Sequence, residues 1–249
     1  MFGYIAGMTA SSRSQHGSQP TSRRERPAKA ALSRAWIVEE AINIVRTEGL
    51  GKATMRRVAQ ALDTGPASLY VYVANTAELH AAVLDELLGS LRIRRGGDWL
   101  ETLAALLGDY GELLFAHPGL ARSALVLRPS GPNTVRLYDR LLGLLLDGGV
   151  ESTRAAWGVD LLIQHVTANA AEHSAPTPGD IDAPADDQAE WDALSRAVRT
   201  AESVTAPHLA AYADAVLAGT PAQRSTWALR ALVAGISVSP DPLPPSGAC

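Results

Sequence analysis

Apolar positions recur every three or four residues from about residue 32 onwards, which is the spacing of one face of an α-helix. In the first such segment Ile37, Ala41 and Ile44 form an apolar stripe. The stripe follows Ser33, a residue type that caps helix N-termini, and ends before Gly49. Strand-like alternation of apolar and polar positions is missing from the sequence. The pattern therefore predicts an all-α protein.

Capping and helix-breaking residues divide this pattern into short helices first and longer helices after them. Thr54 can cap a second helix, Pro66 suits the first turn of a third, and Asn75 with Glu78 resembles a capping box that opens a fourth. We predict helices over residues 33–48, 54–62 and 66–73, one from 75 onwards, and others over about 98–116, 118–127, 132–147, 152–174, 188–203, 206–218 and 221–236. The stretch 175–187 and the proline-rich end are predicted to be irregular.

Composition limits the class of protein. The chain has 249 residues, of which 47% are hydrophobic, and its single cysteine, Cys249, cannot form an internal disulfide. No apolar run approaches the roughly 20 residues that a membrane span needs, and the first residues do not resemble a secretory signal. We therefore expect a cytoplasmic protein without a membrane partner.

Sequence signatures of catalysis are also missing. We find no G-x-S-x-G elbow, phosphate-binding loop, dinucleotide fingerprint or metal-ligand cluster. The chain is therefore predicted not to be an enzyme, and to need no cofactor and no metal.

Charge is distributed unevenly along the chain. Residues 1–80 carry ten Lys and Arg against six Asp and Glu, whereas residues 81–249 carry twelve against twenty. A basic first third on an acidic remainder suits a DNA-contacting domain, although so modest an imbalance also arises by chance.

The composition and the helices together predict four parts. Residues 1–31 are predicted to form a disordered arm, 32–78 a small three-helix domain, 79–238 a larger helical domain, and 239–249 an irregular tail. The arm contains a basic cluster that could follow DNA phosphates or enter a minor groove, or could remain a solvated tail. The cluster consists of Arg23, Arg24, Arg26 and Lys29.

The three short helices, with a tight turn at 63–65, have the layout of a helix-turn-helix, whose third helix enters the major groove of DNA. Leu69 and Val73 are four residues apart and are predicted to face the first two helices. The other side of this helix then presents small, hydroxylated and aromatic side chains. These can meet base edges, thymine methyl groups and phosphate oxygens. The outward residues are Ala67, Ser68, Val71 and Tyr72, with Tyr70 beside them.

Residues 32–87 resemble the DNA-binding domain of the TetR family of transcriptional regulators over nearly its whole length. The matching features, in chain order, are a first helix ending in Glu48-Gly49, the segment Thr54–Ala59, the pair Leu69-Tyr70, and Glu78-Leu79 at the start of the fourth helix. Carried over residue by residue, the resemblance implies DNA contacts at Thr54, Arg56, Pro66, Ala67, Ser68, Tyr70, Val71 and Tyr72.

Two positions depart from the family's pattern. Thr76 stands where a phosphate-binding lysine is usual, so one backbone contact is either missing or supplied by Lys52 or the basic arm. Asp63 stands where glycine is frequent. Because aspartate tolerates the left-handed backbone conformation, we expect the turn to form. Arg57 could be either a DNA contact or an ion-paired side chain.

The resemblance further implies that residues 79–238 dimerise and enclose a pocket for a small molecule. Candidate pocket residues are aromatic and polar side chains on otherwise apolar helices, any of which could equally pack in the core. They are Trp99, Tyr110, Phe115, Tyr138, Trp157, His165 and Asn169. His165, Asn169 and His173 share one helix face and could line this pocket, lie in a dimer interface, form a metal site or face solvent.

The sequence thus predicts a homodimeric repressor that binds double-stranded operator DNA and is released by a small hydrophobic ligand. In the alternative, its larger domain binds a partner protein or acts without a ligand. We expect the dimer interface on the helices at 152–174 and 221–236. Its apolar candidates would equally suit burial within one subunit: Trp227, Leu229, Leu232, Val233 and Ile236.

Overall fold

The structure, a computed structural model, describes residues 31–93, 96–117, 119–127, 129–173 and 187–242. The basic cluster of the predicted arm, nearly all of the predicted loop at 175–187 and the last seven residues lie outside these ranges. The helices all belong to a unit that begins at Ser33.

Four helices and one turn of 3₁₀ helix make up the first part of this unit. They are α1 (Arg34–Glu48), the 3₁₀ turn Leu50–Lys52, α2 (Met55–Ala61), α3 (Pro66–Leu69) and α4 (Thr76–Leu88). Helix α1 packs against α2 and α4, and α3 packs against α2. Helix α4 also packs against helices of the second part, so it connects the two parts.

The described residues of the second part form seven helices: α5 (Trp99–Phe115), α6 (Leu120–Val126), α7 (Pro132–Asp147), α8 (Ser152–His173), α9 (Asp187–Arg199), α10 (Pro207–Leu217) and α11 (Pro221–Val238). Helix α8 is the central element, because it contacts α5, α6, α7 and α11. The described ranges contain no strand, which confirms the all-α prediction. No helix within them has both the length and the apolar character of a membrane span.

Three predicted helix caps are confirmed. The Ser33 hydroxyl accepts a hydrogen bond from the Trp36 N–H at 3.2 Å, and Thr54 caps α2 in the same way at 3.2 Å. The Asn75 side chain accepts from the backbone of Glu78 at 2.8 Å. In the predicted capping box, the Glu78 side chain would accept a hydrogen bond from the backbone N–H of Asn75. The Glu78 carboxylate instead accepts from the N–H of Ala74, one residue earlier.

The segment before α4 differs in detail from the predicted third helix over 66–73. The α-helix ends at Leu69, and a hydrogen-bonded turn continues the coil to Val73, whose N–H donates to the Leu69 carbonyl at 3.0 Å. The preceding turn forms as expected at Asp63, which has a left-handed φ of 50°. Leu69 and Val73 are buried, and such tertiary packing is what stabilises a helical segment this short.

Candidate functional site

The coiled segment 66–73 has one buried side and one exposed side. Leu69 and Val73 are 0% and 1% exposed, so they anchor the segment against the rest of the unit. Every other residue of the segment is exposed, and Val71 reaches 79%. The DNA-contact positions that the resemblance implies in this segment, Pro66, Ala67, Ser68, Tyr70, Val71 and Tyr72, are therefore all accessible, and we call them the recognition surface.

The start of α2 places two more predicted contacts at the protein surface. Thr54 is exposed, and its hydroxyl keeps a free proton to donate because it acts as acceptor in the cap. Arg56 is also exposed. Its neighbour Arg57 turns back instead and donates from Nε to the Glu48 carboxylate at 3.1 Å. This hydrogen bond lowers the pKa of Glu48. The ion pair between Arg57 and Glu48 thus connects the start of α2 with the end of α1.

Helix α4 is attached to these short helices by His80. Its Nε2 lies 2.9 Å from the carbonyl oxygen of Ala53, the residue before Thr54. Burial lowers the pKa of His80, so the imidazole is neutral at pH 7, with Nε2–H as the donor. His80 therefore links α4 to the residue that precedes the cap of α2.

A cavity of about 190 Å³ lies between α4, α5, α6, α7 and α8. Most of its wall is aliphatic, and the polar groups come mainly from α7 and α8. The lining residues are Leu84, Leu88, Tyr110, Ala124, Leu125, Leu127, Pro129, Thr134, Leu137, Tyr138, Asp160, Ile163, Gln164 and Thr167.

A pair of hydrogen-bonded hydroxyl groups lies in the wall of this cavity. The Tyr110 hydroxyl and Thr167 Oγ1 are 2.8 Å apart and both residues are buried. Burial raises the pKa of Tyr110, so its phenol stays protonated. The pair can therefore offer a neutral hydrogen bond to a guest in an otherwise apolar space.

Only two of the seven predicted pocket residues, Tyr110 and Tyr138, line this cavity. Trp99 instead lies against Gly148, where an added Cβ would be 2.6 Å from its ring. Phe115 is exposed in the last turn of α5, and Trp157 is 58% exposed on α8. His165 and Asn169 lie on a different face of α8 from the lining positions. An aromatic or polar residue type alone does not say which face of a helix it occupies.

Four of the lining residues that were not predicted share one face of α8, and their spacing was the available signal. Asp160, Ile163, Gln164 and Thr167 follow the i, i+3, i+4, i+7 pattern of one helix face, and three of these four residues are polar. Among the described residues, no three His, Cys, Asp or Glu side chains are grouped as metal ligands.

Helices α8 and α11 pack together and leave large apolar side chains outside. Val233 and Ile236 are buried within the subunit, and Ile236 contacts the α8 backbone so closely that a Cβ at Gly158 would lie 2.9 Å from it. Burial within the chain, one of two alternatives for these residues, is therefore observed. By contrast, Trp227 on α11 is 73% exposed and Leu161 on α8 is 43% exposed.

Comparison with known proteins gives a consistent result. Residues 94–239, more than half of the chain, match the family model described as the tetracyclin repressor-like C-terminal domain. The structure resembles SCO7704 of Streptomyces coelicolor, a candidate transcription regulator, with 50% identity, a TM-score of 0.72 and coverage of 86% of this chain and 98% of that one. It also resembles ActR of the same organism, solved with actinorhodin: 32% identity, TM-score 0.70, coverage 83% and 96%.

The transcriptional repressor DrrR1 of Streptomyces coeruleorubidus is 31% identical over 137 residues, which are 51% of this chain and 48% of DrrR1. A regulator from Saccharopolyspora erythraea is 27% identical over 123 residues, 49% of this chain and 52% of the other. The chain thus spans about half the length of these curated relatives. The family match covers most of the second part, and the structural likeness extends to the helices that carry the recognition surface. The chain therefore belongs to the TetR family of transcriptional regulators.

Proposed function

We propose that this chain binds operator DNA and represses transcription, with the recognition surface in the major groove. The proposal rests mainly on the burial pattern of segment 66–73. Leu69 and Val73 are buried, and all other side chains of the segment are exposed. An exposed surface of this composition offers methyl groups to thymine and hydroxyls to base edges or phosphates.

The flanking residues complete this interface. Arg56 is exposed and can reach a base or a phosphate, whereas the neighbouring Arg57 bonds Glu48. Thr54 and Tyr70 are placed to donate hydroxyl protons to phosphate oxygens. Asp63, with its left-handed backbone, closes the turn that brings α2 and the recognition surface together.

We predict that Arg56→Ala and Tyr70→Phe weaken binding to the DNA upstream of the chain's own gene. Loss of the guanidinium should cost about 1–3 kcal/mol of binding free energy, and loss of the tyrosine hydroxyl about 0.5–1.5 kcal/mol. If Arg56 holds phosphate, the slope of log K against log salt should also fall by about one. Both variants should melt like the wild type, because both side chains are exposed.

Fluorescence anisotropy at several salt concentrations is the measurement, with Arg196→Ala on α9 as the exposed-arginine control. Wild-type protein that does not prefer its upstream DNA over an unrelated fragment would refute the proposed function. If Arg56→Ala unfolds the protein instead, the arginine has a structural role.

We further propose that a small hydrophobic ligand releases the DNA by entering the cavity. ActR, 32% identical, has been solved with actinorhodin, and the cavity here has apolar walls with the Tyr110–Thr167 hydroxyl pair inside. At about 190 Å³ it is smaller than the roughly 300–1,000 Å³ of typical ligand pockets. A ligand would therefore bind a widened state more tightly and shift the population towards it.

Filling the cavity should abolish the ligand response. With actinorhodin and related aromatic polyketides as probes, a compound at 100 times its Kd stabilises the folded wild type by about 2.7 kcal/mol, which raises the Tm by several degrees. Ala124→Trp, which places an indole into the cavity wall, should lose this shift, whereas Ala211→Trp on the exposed side of α10 should keep it. Equal shifts in both variants would place the ligand elsewhere.

The repressor is proposed to act as a homodimer joined through α8 and α11. The exposed Trp157, Leu161 and Trp227 lie on these two helices, and two copies related by a two-fold axis would cover them together. Sedimentation equilibrium should then give twice the 26.2 kDa of the chain.

A further inference from the structure

Helix α4 and the start of α7 are joined by a buried carboxylate. Asp85 on α4 is only 8% exposed. Its Oδ1 accepts hydrogen bonds from both the backbone N–H and the hydroxyl of Thr134, at 2.8 and 2.7 Å. Its Oδ2 lies 3.4 Å from the side-chain nitrogen of Asn133. The donors therefore all come from the first turn of α7, where the helix dipole also favours a negative charge.

A second contact also has its donor on α7 and its acceptor on α4. Arg136 on α7 donates from Nη2 to the carbonyl oxygen of Gly89, at the C-terminal end of α4, over 3.2 Å. Gly131, the residue before α7, leaves the space that the carboxylate needs, because a Cβ there would lie 2.1 Å from Asp85 Oδ2. We call these contacts, Asp85 with Thr134 and Arg136 with Gly89, the α4–α7 latch.

The latch borders the cavity and shares α4 with a contact to the DNA-binding helices. Leu84 and Leu88 beside Asp85 line the cavity, and so does Thr134 itself. Towards the other end of α4, His80 holds the Ala53 carbonyl next to the cap of α2. His80 and Asp85 are five residues apart on one helix, about 7.5 Å along its axis.

We propose that the α4–α7 latch is the element that converts occupancy of the cavity into movement of the DNA-binding helices. The proposal rests on the proposed function and names its internal coupling. If a guest pushes the start of α7 outwards, the buried Asp85 must either follow, moving α4 and the start of α2, or lose its partners. An unpaired buried carboxylate is strongly disfavoured, so α4 and α7 move together between discrete arrangements.

The test uses a substitution that breaks the latch without changing a cavity-lining residue. Gly131→Ala places a methyl group where Asp85 Oδ2 lies, and the glycine's φ of −79° is one that alanine adopts freely. Gly143→Ala on the same helix is the matched control, because its Cβ would meet nothing within 4 Å. Asp85→Asn, which keeps the shape but removes the charge, is the second latch variant.

Hydrogen exchange of the intact chain is the first readout and needs neither DNA nor ligand. In Gly131→Ala and Asp85→Asn we expect exchange to rise at least tenfold along α4 and at the start of α2, whereas Gly143→Ala exchanges like the wild type. A rise confined to the first turn of α7 would overturn the proposal, because the latch would then be only a local helix cap.

Affinity for the upstream DNA is the second readout. We expect both latch variants to change the Kd at least fivefold, in either direction, while far-UV circular dichroism and the Gly143→Ala variant stay at wild-type values. A Kd within twofold of the wild type overturns the coupling even where exchange has spread. If the wild type binds no upstream DNA but exchange spreads to α2, the proposed function fails and the mechanical link remains.

Discussion

Leu69→Ala is expected to unfold the DNA-binding helices, at a cost of about 2–5 kcal/mol of folding free energy. The side chain is 0% exposed and, with Val73, anchors the segment to the rest of the unit. Because whole domains are stable by only about 5–15 kcal/mol, this loss is a large share of the total. Urea denaturation followed by circular dichroism, together with hydrogen exchange over α1–α3, would measure it.

The control is two residues away on the same segment. Val71→Ala removes an apolar side chain that is 79% exposed, so its free energy of unfolding should stay within about 0.5 kcal/mol of the wild type. If the two variants are equally stable, the segment does not pack by the side that the structure assigns to it.

Ser68→Glu is expected to abolish specific DNA binding while leaving the fold intact. The residue is exposed, so the substitution should hardly change the Tm. A carboxylate there would face the negative charge of the DNA backbone, and like charges at an interface cost several kcal/mol. We therefore expect a loss of affinity of roughly 100-fold or more at moderate salt.

Ser68→Gln separates charge from size. Glutamine has nearly the volume of glutamate without its charge, so it should retain much more affinity. Anisotropy titrations of both variants on the upstream DNA provide the measurement. Wild-type affinity for Ser68→Glu would mean that this residue does not face DNA, whatever the effect of Arg56→Ala.

Adjacent residues thus have opposite expected phenotypes, and their difference was visible in the sequence. Leu69 and Val73 are spaced for the inner side of a helix, and the structure buries both. Ser33, Thr54 and Asn75 could be identified as caps because a short polar side chain before an apolar stripe satisfies free N–H groups. The bounds of most helices follow from such local chemistry.

Tertiary packing decided what local chemistry could not. The predicted third helix runs to residue 73, whereas α3 ends at Leu69 and a hydrogen-bonded turn continues to Val73. The lining of the cavity depends on which faces of five helices converge. Trp99 and Trp157 were predicted as pocket residues from their residue type alone, and neither lines this cavity. The partner of Asp85, 49 residues further along the chain, also has no local signal.

Directed DNA cleavage tests the central claim. This claim is that segment 66–73 of each subunit of the dimer lies in the major groove of one half-site of the operator. The chain's single cysteine, Cys249, is first replaced by serine, and an iron chelate is attached to Ala74→Cys, an exposed position beside the recognition surface. The same probe at Asp139→Cys on α7 is the control. We predict two cleavage clusters on the upstream DNA, about 10 base pairs apart or a multiple of that spacing, and none from position 139. Uniform cleavage, or equal cleavage from both positions, would contradict the account.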